Sequence, residues 1–239
     1  MIDTILSFIP SIPGNIIIFF PSYGYLNDCY STWDRDGKLA LLFELKKVYK
    51  EEAGMSNDSF NSLVQQYEKA QYDKGAILLA VCRGKASEGI DFSNDMCRCV
   101  IITGVPYSPF TDMKVKMRRI YLDEKNKQQL QFNERTKQAV KRHDTHIPTN
   151  YSDLPLASVF NIKSEPFTGN DWYTISAHRA VNQSVGRVIR HKDDFGVILL
   201  MDERFASPGS KAKLSKWIQP FIREFSALSK GLFICIINS

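Results

Sequence analysis

The sequence predicts an α/β fold, a parallel sheet flanked by helices, from three observations. Residues 15–20, 76–81, 99–103 and 197–201 are short, continuously apolar runs rich in Ile, Val and Leu. Strands buried on both faces read this way, whereas half-exposed strands alternate. Helix-period segments separate the runs, as parallel strand connections require. The segments that carry glycine, arginine and acid side chains mostly follow the runs, at the strand ends where such sheets bind ligands.

The elements follow in order. Residues 2–9 form a short helix stopped by Pro10. The first strand, 15–20, is closed by Pro21, and helix resumes from Tyr23 to about Trp33 before the turn Asp34-Arg-Asp-Gly37. Residues 38–51 start as helix and leave room for a short strand at 47–50. Ser56 caps a helix running to Asp73, with Phe60, Leu63, Val64 and Tyr67 on one face. The strands at 76–81 and 99–103 follow, then a basic helix from about Asp112 to Leu130. Residues 131–170 are polar and hold Pro148, Pro155 and Pro166, which reads as a long loop or insertion. Asn170 or Asp171 caps an arginine-bearing helix, the fourth strand is 197–201, and a last helix covers about 211–229. The expected organisation is one domain over 1–230 with an insertion at 131–170, and a tail at 231–239.

With 239 residues, 44% of them apolar, the chain can bury a sizeable core. The net charge of +5 favours a polyanionic partner without defining one. Five cysteines, an odd number without a Cys-x-x-Cys pair, argue against a disulfide framework or a closed zinc site and fit a reducing compartment. The apolar amino terminus carries Asp3, Pro10 and Pro13 and lacks a basic leader, so it does not read as a signal peptide. No run of about 18 apolar residues occurs, and no membrane association is expected.

The most informative segment is Gln183-Ser-Val-Gly186-Arg187-Val-Ile-Arg190. On an ideal helix, with Gln183 as zero, Arg187 lies at about 40°, Arg190 at about −20° and Arg179 near −40°. Val181, Val185 and Val188 take the opposite side, roughly 140–200° away. The helix therefore has an apolar back and a cationic front, and rigid arginine forks suit planar grip on phosphate oxygens. Gly186 costs about 1 kcal/mol against Ala inside a helix, and its missing side chain lets a ligand approach the stripe.

A second segment, Arg83-Gly-Lys-Ala-Ser-Glu-Gly-Ile-Asp91, follows a strand. Gly84 and Gly89 permit tight turns, and Glu88 and Asp91 are candidate acceptors for a ribose or metal-bound water. Gly84-Lys85 is not a phosphate loop: Leu79 stands where the first glycine is required, and Ala86 where Ser or Thr is. Asp202-Glu203 mimics the acidic pair that holds magnesium in nucleotide hydrolases, but without a phosphate loop it reads as a strand end. The chain thus has groups that grip phosphate from one side and lacks the cradle. In phosphoryl transfer such a partner element supplies an arginine finger worth about 10³–10⁵ in rate.

These segments resemble the second motor domain of the iron–sulfur DEAH-type superfamily 2 DNA helicases, of the xeroderma pigmentosum group D and Fanconi anaemia group J type. The resemblance is carried by Phe19-Phe-Pro-Ser-Tyr23, by residues 80–92, by Gly104-Val-Pro-Tyr107, by residues 179–191 and by Asp202-Glu-Arg-Phe205, in the family order over most of 1–225. It implies a RecA-like sheet, the helicase C-terminal motor domain. It implies that residues 20–23 border the nucleic-acid track as motif IV, with Ser22 and Tyr23 as contacts. In motif V, residues 83–91, Glu88, Gly89 and Asp91 are expected on the ATP side and Arg83, Lys85 and Ser87 on the strand side. In motif VI, Gln183, Arg187 and Arg190 are directed at the ATP phosphates beside Gly186, with Arg190 as the finger.

By the same resemblance ATP and Mg²⁺ are shared with a first motor domain, in cis or in trans, which also holds the iron–sulfur cluster. The partners are single-stranded DNA and DNA duplex junctions, the movement is 5′ to 3′, and the location is nuclear. This chain alone is expected to be inactive. Two other readings fit the residues: a stand-alone, non-catalytic nucleic-acid-binding module, motivated by the basic helix, and an RNA-directed translocase domain.

Overall fold

The computed structural model describes residues 1–89, 96–141, 167–188, 195–225 and 232–237. The chain divides into two compact units, Met1–Tyr107 with Ser176–Ser239, and Ser108–Ile175.

The first unit is built on a seven-stranded sheet. Its strands are β1 (Ile16–Phe20), β2 (Lys47–Lys50), β3 (Ala76–Val81), β4 (Cys99–Ile102), β5 (Gly196–Met201), β6 (Ile222–Phe225) and β7 (Leu232–Ile237). The order is β2-β3-β1-β4-β5-β7-β6. The first five in that order pair in parallel, while β7 runs antiparallel to both β5 and β6. The α/β parallel sheet expected from the apolar runs is therefore present, with an antiparallel edge. Each parallel strand feeds alternate residues to opposite faces. On one face Ile17, Phe19, Leu78, Val100, Ile102, Ile198 and Leu200 meet Phe60, Val64 and Tyr67 of the helix α4 (Asn57–Lys69). On the other, Ile16, Ile18, Phe20, Ile77, Leu79 and Ile101 meet α1 (Ile2–Phe8), α2 (Tyr23–Arg35) and α3 (Lys38–Leu45). Covering both faces is what turns a strand into a continuous apolar run.

Local chemistry sets the boundaries. Ser22 and Ser56 cap α2 and α4 by accepting from the amides of Tyr25 and Ser59. A short strand does form at β2, resolving the ambiguity over 38–51.

Two expectations need correction at the carboxyl end. In place of the expected helix over 211–229, the described residues to 225 form one turn, α8 (Pro208–Lys211), and then a 3₁₀ turn, Gln219–Phe221, that leads into β6, while 226–229 lie outside the described residues. Pro220 lacks the amide a helix interior needs and clashes with the preceding turn. Nor is 231–239 a tail, because Leu232–Ile237 is β7, laid between β5 and β6. Its β-branched sequence suits a ladder position.

The second unit contains the 29-residue helix α6 (Met113–Lys141) and the first turns of α7 (Gly169–Val185). The basic helix expected to stop near Leu130 runs eleven residues further, since no Gly or Pro interrupts 131–141. Of the loop expected at 131–170, residues 131–141 and 169–170 are helical instead, and 142–166 lie outside the described residues. The cap of α7 is Thr168 rather than Asn170. Its hydroxyl accepts from the Asp171 amide at 3.0 Å while the Asp171 carboxylate accepts from the Thr168 amide at 2.9 Å, a reciprocal capping box. The Asp123 carboxylate accepts from the Gly169 amide at 2.8 Å. A Cβ at Gly169 would stand 2.5 Å from the Arg119 carbonyl, so glycine is what lets the two helices approach. The Arg119 guanidinium lies over the rings of Phe110 and Tyr173, at 4.7 and 5.5 Å.

Candidate nucleotide and nucleic-acid site

The carboxyl ends of β1 to β5 lie on one edge of the sheet, and the predicted segments gather there. Ser22 and Tyr23 follow β1, Arg83 to Ser87 follow β3, and Asp202 follows β5. The order β3-β1-β4 makes β1 the reversal point, where open parallel sheets form ligand crevices.

The segment after β3 is held under tension. Arg83 has φ 67, the left-handed region that non-glycine residues rarely occupy. Such a conformation persists when its surroundings over-determine it. Here the Arg83 guanidinium donates to the Ser176 carbonyl at 3.0 Å and to its hydroxyl at 3.2 Å, on α7. Ser184, the penultimate residue of that helix, is fully buried and its hydroxyl lies 3.0 Å from the Ala180 carbonyl and 3.8 Å from the Cys82 thiol. Residues 85–89 then form the single turn α5 (Lys85–Gly89). The buried Ser87 hydroxyl donates back to the Gly84 carbonyl at 2.9 Å.

The lysine of this segment is not free for a ligand in this conformation. Lys85 Nζ donates to the Met55 carbonyl at 2.7 Å and to Asn57 Oδ1 at 2.6 Å, at the amino end of α4. Arg187 donates to the Ser87 carbonyl, which joins the end of the arginine helix to the β3 loop. Gln183 is exposed on the last turn of α7. The helix itself stops earlier than its sequence pattern suggests. Val185 is its last residue, and Arg187 and Val188 donate to the carbonyls three residues back. Gly186 is the weak point, because glycine favours helix ends. A Cβ there would sit 3.2 Å from the Asn182 carbonyl. The ideal-helix angles therefore do not extend past Gly186. Arg190 and Asp91 lie outside the described residues, as do the side chain of Glu88 and the surroundings of Gly89, both in α5.

Sequence reasoning missed the residue on which this loop turns. Glu51, directly after β2, is 1% exposed. Its Oε1 accepts from the Tyr23 hydroxyl and from the Lys85 amide, each at 2.8 Å, and its Oε2 accepts from the Val81 amide at 3.1 Å. A Cβ on Gly84 would lie 2.5 Å from Oε1, so glycine at 84 makes room for this carboxylate. Burial, reinforced by the Glu51 hydrogen bond, pushes the Tyr23 phenol far above its usual range, so it remains a donor at physiological pH. The sequence carries no distinct signal for it, because Glu51 is one of five charged residues among positions 46–52 beside an ambiguous strand.

Asp202 offers little to a metal ion. Burial would raise its carboxyl, but hydrogen bonds from the Arg204 side chain and amide, with the Val105 amide, prevail and hold it below the usual carboxylate range. The guanidinium of Arg204 also lies over the Tyr107 ring. Cys82, Cys97 and Cys99 are buried as small core hydrophobes. Burial pushes the Cys82 thiol up to about 12 and Cys99 well above its ordinary value, which disfavours the thiolate that iron or zinc requires. No helix among the described residues is long and apolar enough to cross a membrane.

A parallel sheet flanked by helices, with arginine-tied loops at its strand ends, places the domain in the α/β class. The model of the helicase C-terminal domain matches residues 5–221, and the chain belongs to that family, the DEAH-type branch to which its motifs point. It is 40% identical over 228 residues to the regulator of telomere elongation helicase 1 homolog of Anopheles gambiae, covering 94% of this chain and 19% of that protein. The homolog from Culex quinquefasciatus is 39% identical over 238 residues, covering 93% and 21%. The chain thus spans about a fifth of the length of these curated relatives. The solved structure of S. tokodaii Xpd4 covers 90% of this chain and 32% of its own, with 12% identity and a TM-score of 0.44.

Proposed function

We propose that this chain is the second motor domain of an ATP-dependent DNA helicase and works only beside a first motor domain. The hydrogen bond from Arg187 to the Ser87 carbonyl carries the reading, because it ties the phosphate-directed segment to the loop directed at nucleic acid. In the proposed cycle ATP lies between the two domains, and the first holds its triphosphate. Gln183, Arg187 and Arg190 approach from this side, and Arg190 is the finger that neutralises charge developing on the transferred phosphoryl group. Glu88, Gly89 and Asp91 line the nucleotide side, with Gly186 leaving room beside the cationic stripe.

When Arg187 shifts toward phosphate, its pull on the Ser87 carbonyl is released, and the strained Arg83–Ser87 segment adjusts its grip on single-stranded DNA. Ser22, Tyr23, Arg83 and Ser87 make that grip, and Lys85 joins it on leaving Met55 and Asn57. Mg²⁺ supplies charge neutralisation on the triphosphate. Its ligands are assigned to the first motor domain, because Asp202 is committed to Arg204 and the Val105 amide. An iron–sulfur cluster is assigned there too, since burial disfavours the thiolates of Cys82 and Cys99 that it would need. The name of the relatives, regulator of telomere elongation helicase 1 homolog, supports action on telomeric DNA, while the nuclear location, the duplex-junction substrate and 5′ to 3′ movement are carried over from the family resemblance.

The test is DNA-stimulated ATPase of the longest natural reading frame containing this segment, wild type against Arg190→Ala. The expected result is a loss of about 10³-fold or more with ATP binding retained. Steady ATP hydrolysis by the 239-residue chain alone would overturn the half-motor reading. No ATPase in either full-length protein would favour a binding module instead.

A further inference from the structure

We infer that Glu51 is a positioning residue that clamps the loop after β3 to the tyrosine after β1, so that the two segments move as one body. The inference rests on the proposed function for its consequence and on geometry for its existence. One buried carboxylate reaches three donors from two crossovers: the Tyr23 hydroxyl, and the Val81 and Lys85 amides on either side of the Arg83 turn. The Glu51 amide is itself fixed, donating to the Leu79 carbonyl at 2.8 Å, so the clamp is anchored to the sheet and not to a mobile loop. Gly84 lies beneath the carboxylate, where any side chain would displace it.

The geometry demands an acceptor at both side-chain oxygens. All three partners donate, and a carboxylate accepts at both oxygens. Glutamine has one acceptor oxygen and one amide nitrogen. Either orientation sets a donor against a donor, at Val81 or at the Tyr23–Lys85 pair. The left-handed conformation of Arg83, between the two clamped amides, then loses the support that holds it. Tyr23 and Lys85 both belong to segments assigned to the nucleic-acid side, and through Glu51 Oε1 the position of the Tyr23 hydroxyl is linked to that of the Lys85 amide.

The experiment uses the full-length protein with Glu51→Gln, Tyr23→Phe and the double variant. Two readouts are taken: amide hydrogen exchange and the DNA concentration that half-saturates ATPase. Glu51→Gln is expected to speed exchange at Val81 and Lys85 about tenfold while Ile17 to Phe19 keep their protection. Half-saturation should rise by a similar factor. Tyr23→Phe should give a smaller shift that vanishes in the Glu51→Gln background, as two groups acting through one bond do. Protection lost evenly across the sheet would make Glu51 only a folding residue and overturn the inference. So would unchanged exchange at Val81 and Lys85, or additive effects of the two substitutions. The expected exchange pattern in a protein whose ATPase ignores DNA would leave the clamp standing and the helicase reading overturned.

Discussion

Asn15 shows how much one side chain decides. It is fully buried just before β1, where its amide donates to the Tyr67 carbonyl at 2.8 Å and its oxygen accepts from the Ala76 amide at 2.8 Å. It thereby sews the end of α4 and the start of β3 to the first strand. Asn15→Ala strands a buried donor and a buried acceptor, and should cost about 2–4 kcal/mol in denaturant melting. A change below about 0.5 kcal/mol would mean water substitutes for the amide. Glu51 works by the same rule at the other edge of the sheet. Neither residue stands out in sequence, because Asn15 is a single polar residue before an apolar run and Glu51 is one charge among several at 46–52. What makes each important is a partner 28 to 61 residues away.

Between elements, the connection from α4 to β3 is the tightest. After the 3₁₀ turn Ala70–Tyr72, Gly75 takes φ +80 and donates to the Ala70 carbonyl. A Cβ there would fall 2.0 Å from the Gly14 carbonyl oxygen, a backbone atom that has nowhere to go. Gly75→Ala should therefore destabilise by at least about 2 kcal/mol, read as a lower melting midpoint at unchanged denaturant slope. Elements with strong local signals were legible. The four apolar runs became β1, β3, β4 and β5, and Ser56 became a cap. The elements misread were those where a local pattern competes with a breaker. Pro220 lies at the start of a 3₁₀ turn where the expected last helix would continue, and Gly186 follows the end of α7 before Arg187 is reached.

Over the whole molecule, β7 is the decisive placement. It lies between β5 and β6 and pairs antiparallel with both, so β6 reaches the sheet only through it. Removing residues 226–239 would leave the ladder edge of β5 open and β6 without a partner. Such an edge invites association between chains. The truncated chain should lose soluble monomer on size-exclusion chromatography and melt several degrees lower; a monomer with unchanged melting would show that β7 adds nothing.

The sequence by itself determined the α/β class, the parallel runs, the family and the three segments that meet at the strand ends. Each is written in local periodicity or in a contiguous motif. Tertiary structure alone decided the strand order, the insertion of β7, the bond from Arg187 to the Ser87 carbonyl and the Glu51 clamp. These depend on which crossover brings distant backbone groups within hydrogen-bonding reach, and no single segment of the chain encodes that distance.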